Sequence, residues 1–119
     1  MRVATSAQAR TLGLLLDSDD VLLVTPVRVE LLAGASKKDR APLRRALSAL
    51  PIAYPTDDTW HLIDEWVERG SDADERFAVG DLLIGAMAKE QGALVWSLDR
   101  DFSRMERCGL IETYAPPRV

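Results

Sequence analysis

Acidic side chains occur at three separated points of this chain, each next to apolar residues. Glu30 stands among valines and leucines, Asp81 precedes an apolar segment, and Asp99 and Asp101 follow another one. Carboxylates close to a core are usually paired or hold a metal ion. Carboxylates without histidine or cysteine partners are hard oxygen ligands that suit Mg²⁺ or Mn²⁺. Because such ions polarise a phosphoryl oxygen and activate water, the predicted chemistry is phosphodiester hydrolysis.

Apolar runs predict the elements that would position these acids. Residues 21–24 and 93–96 are uninterrupted apolar runs, which is typical of strands buried on both faces. Residues 82–88 are apolar on almost every side, which predicts a buried helix. Strands that alternate with helices indicate an α/β fold with a parallel sheet, whose active sites form at the carboxyl ends of the strands. We therefore expect the three acidic segments to meet at one edge of the sheet.

Turn and cap residues predict the remaining elements. The longest of these helices should bury Trp60, Ile63, Trp66 and Val67 on one side. The further predictions are a helix from Thr5 or Ser6 to Leu16, a helix capped by Thr25-Pro26 and ending near Gly34, a charged loop 36–40, helices 42–50, 57–69 (ended by Gly70) and 102–107, and short strands 52–54 and 111–114.

Length and composition limit the classes of protein that this chain can belong to. The 119 residues predict one domain, 1–119, with a modest core. The single Cys108 excludes an internal disulfide and a cysteine zinc site, and the single His61 excludes a histidine-rich metal site. A net charge of −4 argues against a surface that coats nucleic acid, but a nuclease can concentrate acid in one cleft. Without a long apolar run or an apolar leader, we expect no membrane span and a cytoplasmic location.

Three motifs, in this order along the chain, resemble those of the PIN-domain ribonucleases, and most closely the VapC-type toxins of VapBC toxin–antitoxin pairs. The resemblance extends over roughly residues 7–114. The motifs are Thr25-Pro26-x-x-x-Glu30-Leu31-Leu32-x-Gly34, Asp81-Leu82-Leu83-Ile84-Gly85-Ala86 and Leu94-Val95-x-Ser97-x-Asp99-Arg100-Asp101-Phe102. Each motif alone is weakly specific, and the three together are fairly specific.

The resemblance implies a three-layer α/β/α fold and an endoribonuclease that hydrolyses RNA phosphodiester bonds. It implies that Glu30, Asp81 and Asp99 are the catalytic, metal-binding acids, that Asp101 is an auxiliary metal ligand, and that Ser97 lies beside the metal. It also implies a Mg²⁺ or Mn²⁺ cofactor, a tRNA or rRNA substrate, a homodimer, and a cognate VapB-like antitoxin as partner.

The N-terminus departs from the family pattern, in which a first strand ends in an aspartate followed by threonine or serine. Only 24 residues precede Thr25 here, and Ala4 stands where Val3-Ala4-Thr5-Ser6 would need the acid. Residues 6–20 match the family's second helix better. We therefore predict an N-terminally incomplete domain whose sheet lacks its first, central strand, with exposed strand edges. On either alignment the first acid is absent.

Other functions are consistent with parts of the sequence. The absent acid raises the alternative of a non-catalytic PIN remnant that binds an antitoxin-like partner or self-associates. A phospho-acceptor receiver domain would need a lysine after a late strand, where only Arg100 and Arg104 occur. Lys37, Lys38, Arg40, Arg44 and Arg45 form a basic cluster that is either a solubilising face or a phosphate contact.

Ordinary structural roles are available for several of the acids. Glu30 could be a surface residue of an amphipathic helix, and Asp81 could complement the dipole of the helix that it opens. Asp101 could cap the short helix that follows it. The tryptophans are interpreted as core residues and not as platforms that stack bases.

Overall fold

The computed structural model describes residues 2–4, 21–96 and 100–114 of the chain. In these ranges the strands form one parallel sheet, in the order β3-β2-β1-β4, which confirms the predicted α/β fold. The strands are β1 (Arg2–Ala4), β2 (Val21–Val24), β3 (Ile52–Ala53) and β4 (Leu94–Trp96). The helices are α1 (Thr25–Gly34), α2 (Lys37–Leu47), α3 (Asp57–Asp72), α4 (Val79–Glu90) and α5 (Arg100–Arg107).

The middle of the sheet differs from the prediction. A sheet without its first, central strand is predicted from the sequence, and this prediction is wrong: β1 lies between β2 and β4 and pairs in parallel with both. Three extended residues are enough to pair with both neighbouring strands, and the predicted helix from Thr5 or Ser6 to Leu16 lies outside the described residues. With one β-branched side chain, Val3, so short a strand gives no detectable hydrophobic pattern.

The edges of the sheet are also less open than predicted. At one edge, β3 has two residues and stands between two prolines, which limits pairing with another chain. At the other edge, the Val95 amide donates to the Glu112 carbonyl at 2.9 Å, and the Tyr114 amide donates to the Val95 carbonyl at 2.8 Å. The predicted last strand is therefore an isolated bridge between Val95 and Thr113.

Helix α4 is the central element of the core, as its composition predicts. It packs against α1, α3 and α5 and against β1, β2 and β4. Ile84, Met87 and Ala88 are each at most 2% exposed. The helix ends before Gly92, whose φ of 63° lies in the left-handed region that favours glycine. At about 1.5–3 kcal/mol for each large apolar side chain, burial of this helix is a major stabilising contribution.

Helix α2 begins earlier than predicted, because residues 37–40 of the predicted loop 36–40 form its first turn. Ser36 lies just before the helix, and its Oγ accepts a hydrogen bond from the Asp39 amide at 3.2 Å. The Arg40 guanidinium donates to two carbonyl oxygens at the end of α1, at 3.1 Å each. Arg40 thus joins α2 to α1, which takes it out of the predicted basic cluster.

Helix α3 buries only half of the side chains that its spacing predicts to be buried. Ile63 and Trp66 are buried, but Trp60 is 48% and Val67 is 52% exposed. The helix also continues past Gly70, the predicted end, to Asp72. A Cβ on Gly70 would lie 2.9 Å from the carbonyl oxygen of Glu75, so glycine is required there for a close backbone approach and not for helix termination.

Glu106 connects the end of α5 to the segment that covers β4. Its Oε2 accepts hydrogen bonds from the backbone amide and from the hydroxyl of Thr113, both at 2.7 Å. These two bonds, the backbone amide first, lower the pKa of Glu106 below its ordinary value of 4.5, because they stabilise the charged carboxylate. No helix in the described ranges is long and apolar enough to cross a bilayer.

Gly85 provides the first test of this packing. A Cβ at Gly85 would lie 2.6 Å from Met105 Cε and 3.2 Å from Trp66 Cζ3. Overpacking of about 1–3 kcal/mol should outweigh the gain in helix propensity of about 1 kcal/mol, so Gly85→Ala should lower the free energy of unfolding by up to about 2 kcal/mol. Gly80→Ala, with no atom within 4 Å, is the matched control and should stabilise slightly. Urea unfolding compares the two, and equal stability would contradict the packing argument.

Acidification provides a second test. Since the pKa of Glu106 is lowered on folding, its contribution to stability is fully present above the unfolded value. It is lost as the pH falls through the folded value. The Thr113 amide resonance should therefore shift with a midpoint below pH 4.5. In Glu106→Gln this transition should be absent, with a loss of stability of about 1 kcal/mol or less at neutral pH. A Thr113 titration that persists in the variant would be the contrary result.

Candidate active site

The carboxyl ends of the parallel strands define one edge of the sheet, where the sequence places the acids. Helix α1 follows β2 with no intervening residue, so its first turn lies at this edge. The Thr25 hydroxyl donates a hydrogen bond of 2.6 Å to the Ala53 carbonyl at the end of β3. Thr25 therefore joins the start of α1 to the neighbouring strand, whereas the sequence predicts that it caps the helix.

The central strand ends at this edge in Ala4. In the register of the sheet, Ala4 pairs with Trp96, the last residue of β4. Parallel strands place the ends of neighbouring strands side by side, so Ala4 lies at the edge where the sequence places the acids. The strand β1 is therefore present in the sheet, and its last residue is an alanine and not an acid.

Glu30 lies in the middle of α1, about 8 Å along the helix axis from the edge. Its side chain is exposed, although Val27 and Leu32 on the same helix are buried. An exposed carboxylate is available to an ion or a ligand, and it is equally compatible with a surface position.

Asp81 lies in the first turn of α4, where its side chain is half-buried. Helix α4 leads into β4, so it runs roughly opposite to that strand and begins at the carboxyl edge of the sheet. Helices α1 and α4 pack against each other. The fold therefore brings the elements that bear Glu30 and Asp81 together and orients the start of both toward one edge.

The last acidic motif is described only in part. Ser97 and Asp99 lie outside the described residues, so their predicted roles stay predictions. Asp101 is inside the first turn of α5, whereas the sequence predicts that it caps a helix beginning near Phe102, and its Oδ1 lies 3.2 Å from Nη1 of Arg104. A carboxylate already paired with a guanidinium is a weaker candidate for a metal ligand than one without such a partner.

The chemistry of the donor set can be compared with that of a divalent cation. Within residues 2–4, 21–96 and 100–114, no three acidic, histidine or cysteine side chains form a group that could hold a metal. Mg²⁺ typically keeps several waters and uses one or two carboxylates. The oxygen ligands of Glu30 and Asp81 fit such an ion by type, and His61, exposed on α3, is not one of this set.

Arg104 forms a network that the sequence analysis did not identify. Besides Asp101, its guanidinium contacts Glu75 Oε2, 3.3 Å from Nε, and donates from Nη2 to the Arg76 carbonyl at 2.7 Å. Its Cζ lies 4.7 Å from the centre of the Phe77 ring. The spacing of Asp101 and Arg104, three residues apart on a helix, is visible in the sequence, but the contacts with 75–77 depend on tertiary structure.

A cavity of about 500 Å³ lies next to this network. It is bounded by α3, the segment before α4 and the start of α4, and its apolar lining includes Val67, Phe77 and Leu82. Neither Glu30 nor Asp81 lines it. The segment 75–77 thus has the cavity on one side and Arg104 on the other.

Solved structures of toxin–antitoxin proteins share this fold. FitAcB from Neisseria gonorrhoeae matches with a TM-score of 0.74 and 15% identity, over 97% of each chain. VapBC2 from Rickettsia felis bound to a promoter DNA fragment matches with a TM-score of 0.68 and 17% identity, over 96% of this chain and 98% of that one. VapBC-5 from Mycobacterium tuberculosis matches with a TM-score of 0.67 and 21% identity, over 94% of each.

At these identities the likeness concerns the fold, and no curated protein sequence matches the chain. The family model of the PIN domain matches residues 3–107, which include the last two residues of β1 and all five helices described above. Proteins of this family are generally nucleases that use divalent metals. The parallel sheet, the three motifs and the family match together show that this chain belongs to the PIN domain family.

Proposed function

We propose that the chain is a VapC-like toxin, a metal-dependent endoribonuclease that hydrolyses phosphodiester bonds of tRNA or rRNA. The observation that supports this proposal is the placement of Glu30 and Asp81 on two packed helices, α1 and α4, that both begin at the carboxyl edge of the sheet. In open parallel sheets this edge is where ligands bind.

In this proposal Glu30, Asp81 and Asp99 hold a Mg²⁺ or Mn²⁺ ion, and Ser97 lies beside them. The bound ion would supply Lewis acidity toward the phosphoryl oxygen and lower the pKa of a bound water. The role of the chain's own residues is to orient the scissile phosphate and to accept protons from water at carboxylate oxygens. Asp101 is an auxiliary residue, because its carboxylate is shared with Arg104.

The partners follow from the same family relationship. The similar structures are VapBC and FitAB assemblies, which supports a VapB-like antitoxin as the partner of this chain. We also propose a homodimer in the cytoplasm. That the whole of 1–119 is one domain is a prediction that belongs to the same proposal.

A second candidate function is favoured by one observation, the alanine at the end of the central strand. Without a carboxylate on the residue at Ala4, the donor set at the edge is smaller than in the family pattern. A protein that keeps the fold but not the activity would act as a binding module for the antitoxin-like partner or for a second copy of itself.

Removal of the two described acids tests the catalytic proposal. Glu30→Ala and Asp81→Ala should each lower Mn²⁺-dependent cleavage of a structured RNA by about 10- to 100-fold or more, because each removes an oxygen ligand from a small donor set. Calorimetric titration with Mn²⁺ should show a parallel loss of metal affinity.

Asp64→Ala is the matched control, since it removes an exposed acid from α3, a helix that bears none of the proposed ligands. It should leave cleavage and Mn²⁺ affinity unchanged. If the parent protein neither binds Mn²⁺ nor cleaves RNA, the catalytic proposal fails and the binding module is favoured.

Restoration of the absent acid distinguishes the two functions. Ala4→Asp places a carboxylate at the end of the central strand, where it adds a ligand position to the edge. We expect Mn²⁺ affinity and the rate of RNA cleavage to rise by about 10-fold or more. Ala4→Asn controls for size and polarity without charge. An unchanged rate in Ala4→Asp would show that the edge does not use an acid at this position.

A further inference from the structure

The segment 75–77 leads into the central helix and lies between a cavity and the Arg104 side chain. All three of its residues line the cavity of about 500 Å³. Its amino end is attached to α3 by one short hydrogen bond, from the Glu75 amide to the Gly70 carbonyl at 2.7 Å. Phe77 packs against the hydrophobic core, and the Arg104 side chain supplies the polar contacts described above.

Arg104 contacts this segment in three chemically different ways. The Nη2 atom donates to the Arg76 carbonyl at 2.7 Å, the Cζ lies over the Phe77 ring, and the Nε faces Glu75 Oε2 at 3.3 Å. Nε is buried and makes no aligned hydrogen bond within the part of the chain that the structure describes, so its contact with Glu75 is an electrostatic one. Because the planar guanidinium makes these contacts at once, they fix its position and orientation.

The same guanidinium also contacts the first turn of α5. Its Nη1 lies 3.2 Å from Asp101 Oδ1, and the side chain of Arg104 is only 26% exposed. A partly buried ion pair is screened by salt less than an exposed pair is. Arg104 therefore connects α5, which bears Asp101, with the segment 75–77. This segment leads into α4 and lies only a few residues before Asp81.

We propose that Arg104 is a positioning residue for the acidic edge. It fixes the first turn of α5, with Asp101, relative to the segment 75–77 and thereby to the first turn of α4, with Asp81. This inference rests on the proposed function for its catalytic consequence. Arg104 itself acts through these two acids and is not a group that touches the substrate.

The test uses three variants in the full chain. Arg104→Gln removes the charge and the fork, Arg104→Lys keeps the charge but cannot make the planar set of contacts, and Glu75→Gln weakens the network from its far side. Arg107→Gln is the matched control, because Arg107 is exposed in the last turn of the same helix. All activities are measured well below the unfolding temperature of each variant, so that the folded fraction is the same.

The first measurement is the kinetics of RNA cleavage. We expect kcat to fall about 10-fold or more in Arg104→Gln with KM for RNA unchanged, and Arg104→Lys to recover only part of it. Glu75→Gln should show a smaller decrease of the same kind, and the double variant should be less affected than the product of the two single effects. A purely stabilising role for Arg104 would leave kcat at the parent value.

The second measurement needs neither metal nor activity. Hydrogen exchange should become about 10-fold faster at the Glu75 amide and in α5 when Arg104 or Glu75 is changed, while exchange in α4 and the control variant stays at the parent rate. If the parent protein does not cleave RNA, the proposed function is contradicted. The hydrogen-exchange rates then test the Arg104 network on their own. Exchange and kcat at parent values in both Arg104 variants would overturn the positioning role.

Discussion

The structure depends on the burial of one helix, α4, against the sheet and against three other helices. A helix that is apolar on nearly all sides has no face for water, so it is stable only where neighbours cover every side. Ala86 and Ala88 are fully buried. Together with Gly85 they have side chains so small that neighbouring elements can approach the helix closely. The side chains of Trp66, Met105 and Ile111 converge on Gly85. The side chains that cover Gly85 therefore come from segments on both sides of α4 in the sequence.

The same helix also sets the position of the candidate site. Helix α4 packs on the sheet and leads into β4, so it runs opposite to that strand. Its first turn, which includes Asp81, therefore lies at the carboxyl edge. Helix α1 reaches that edge by following β2 directly. Helices α1 and α4 therefore begin on the same side because of the topology of a parallel sheet, in which chain direction alone places the ends of elements on one side.

This chain keeps the PIN fold, although one acid of the family pattern is absent. A PIN fold is complete enough to include its central strand, yet that strand ends in alanine. Removal of a ligand need not unfold a sheet, because backbone hydrogen bonds hold β1 between β2 and β4 whatever its side chains are. Fold and chemistry can thus be lost separately. The Arg104 network shows the opposite case, a set of side chains that joins the fold to the site.

The sequence by itself determined the features that depend on local pattern. The apolar runs predicted β2, β4 and the burial of α4, and the motifs predicted the family. It did not determine β1, because three residues with one branched side chain give no pattern and are held only by their two neighbours. It also misplaced Trp60 and Val67, since helical spacing gives a face but not the width that the neighbours cover. The contacts of Arg104 with Glu75 and Phe77 required the tertiary structure, because no local rule relates residues that meet only when α5 packs beside the start of α4.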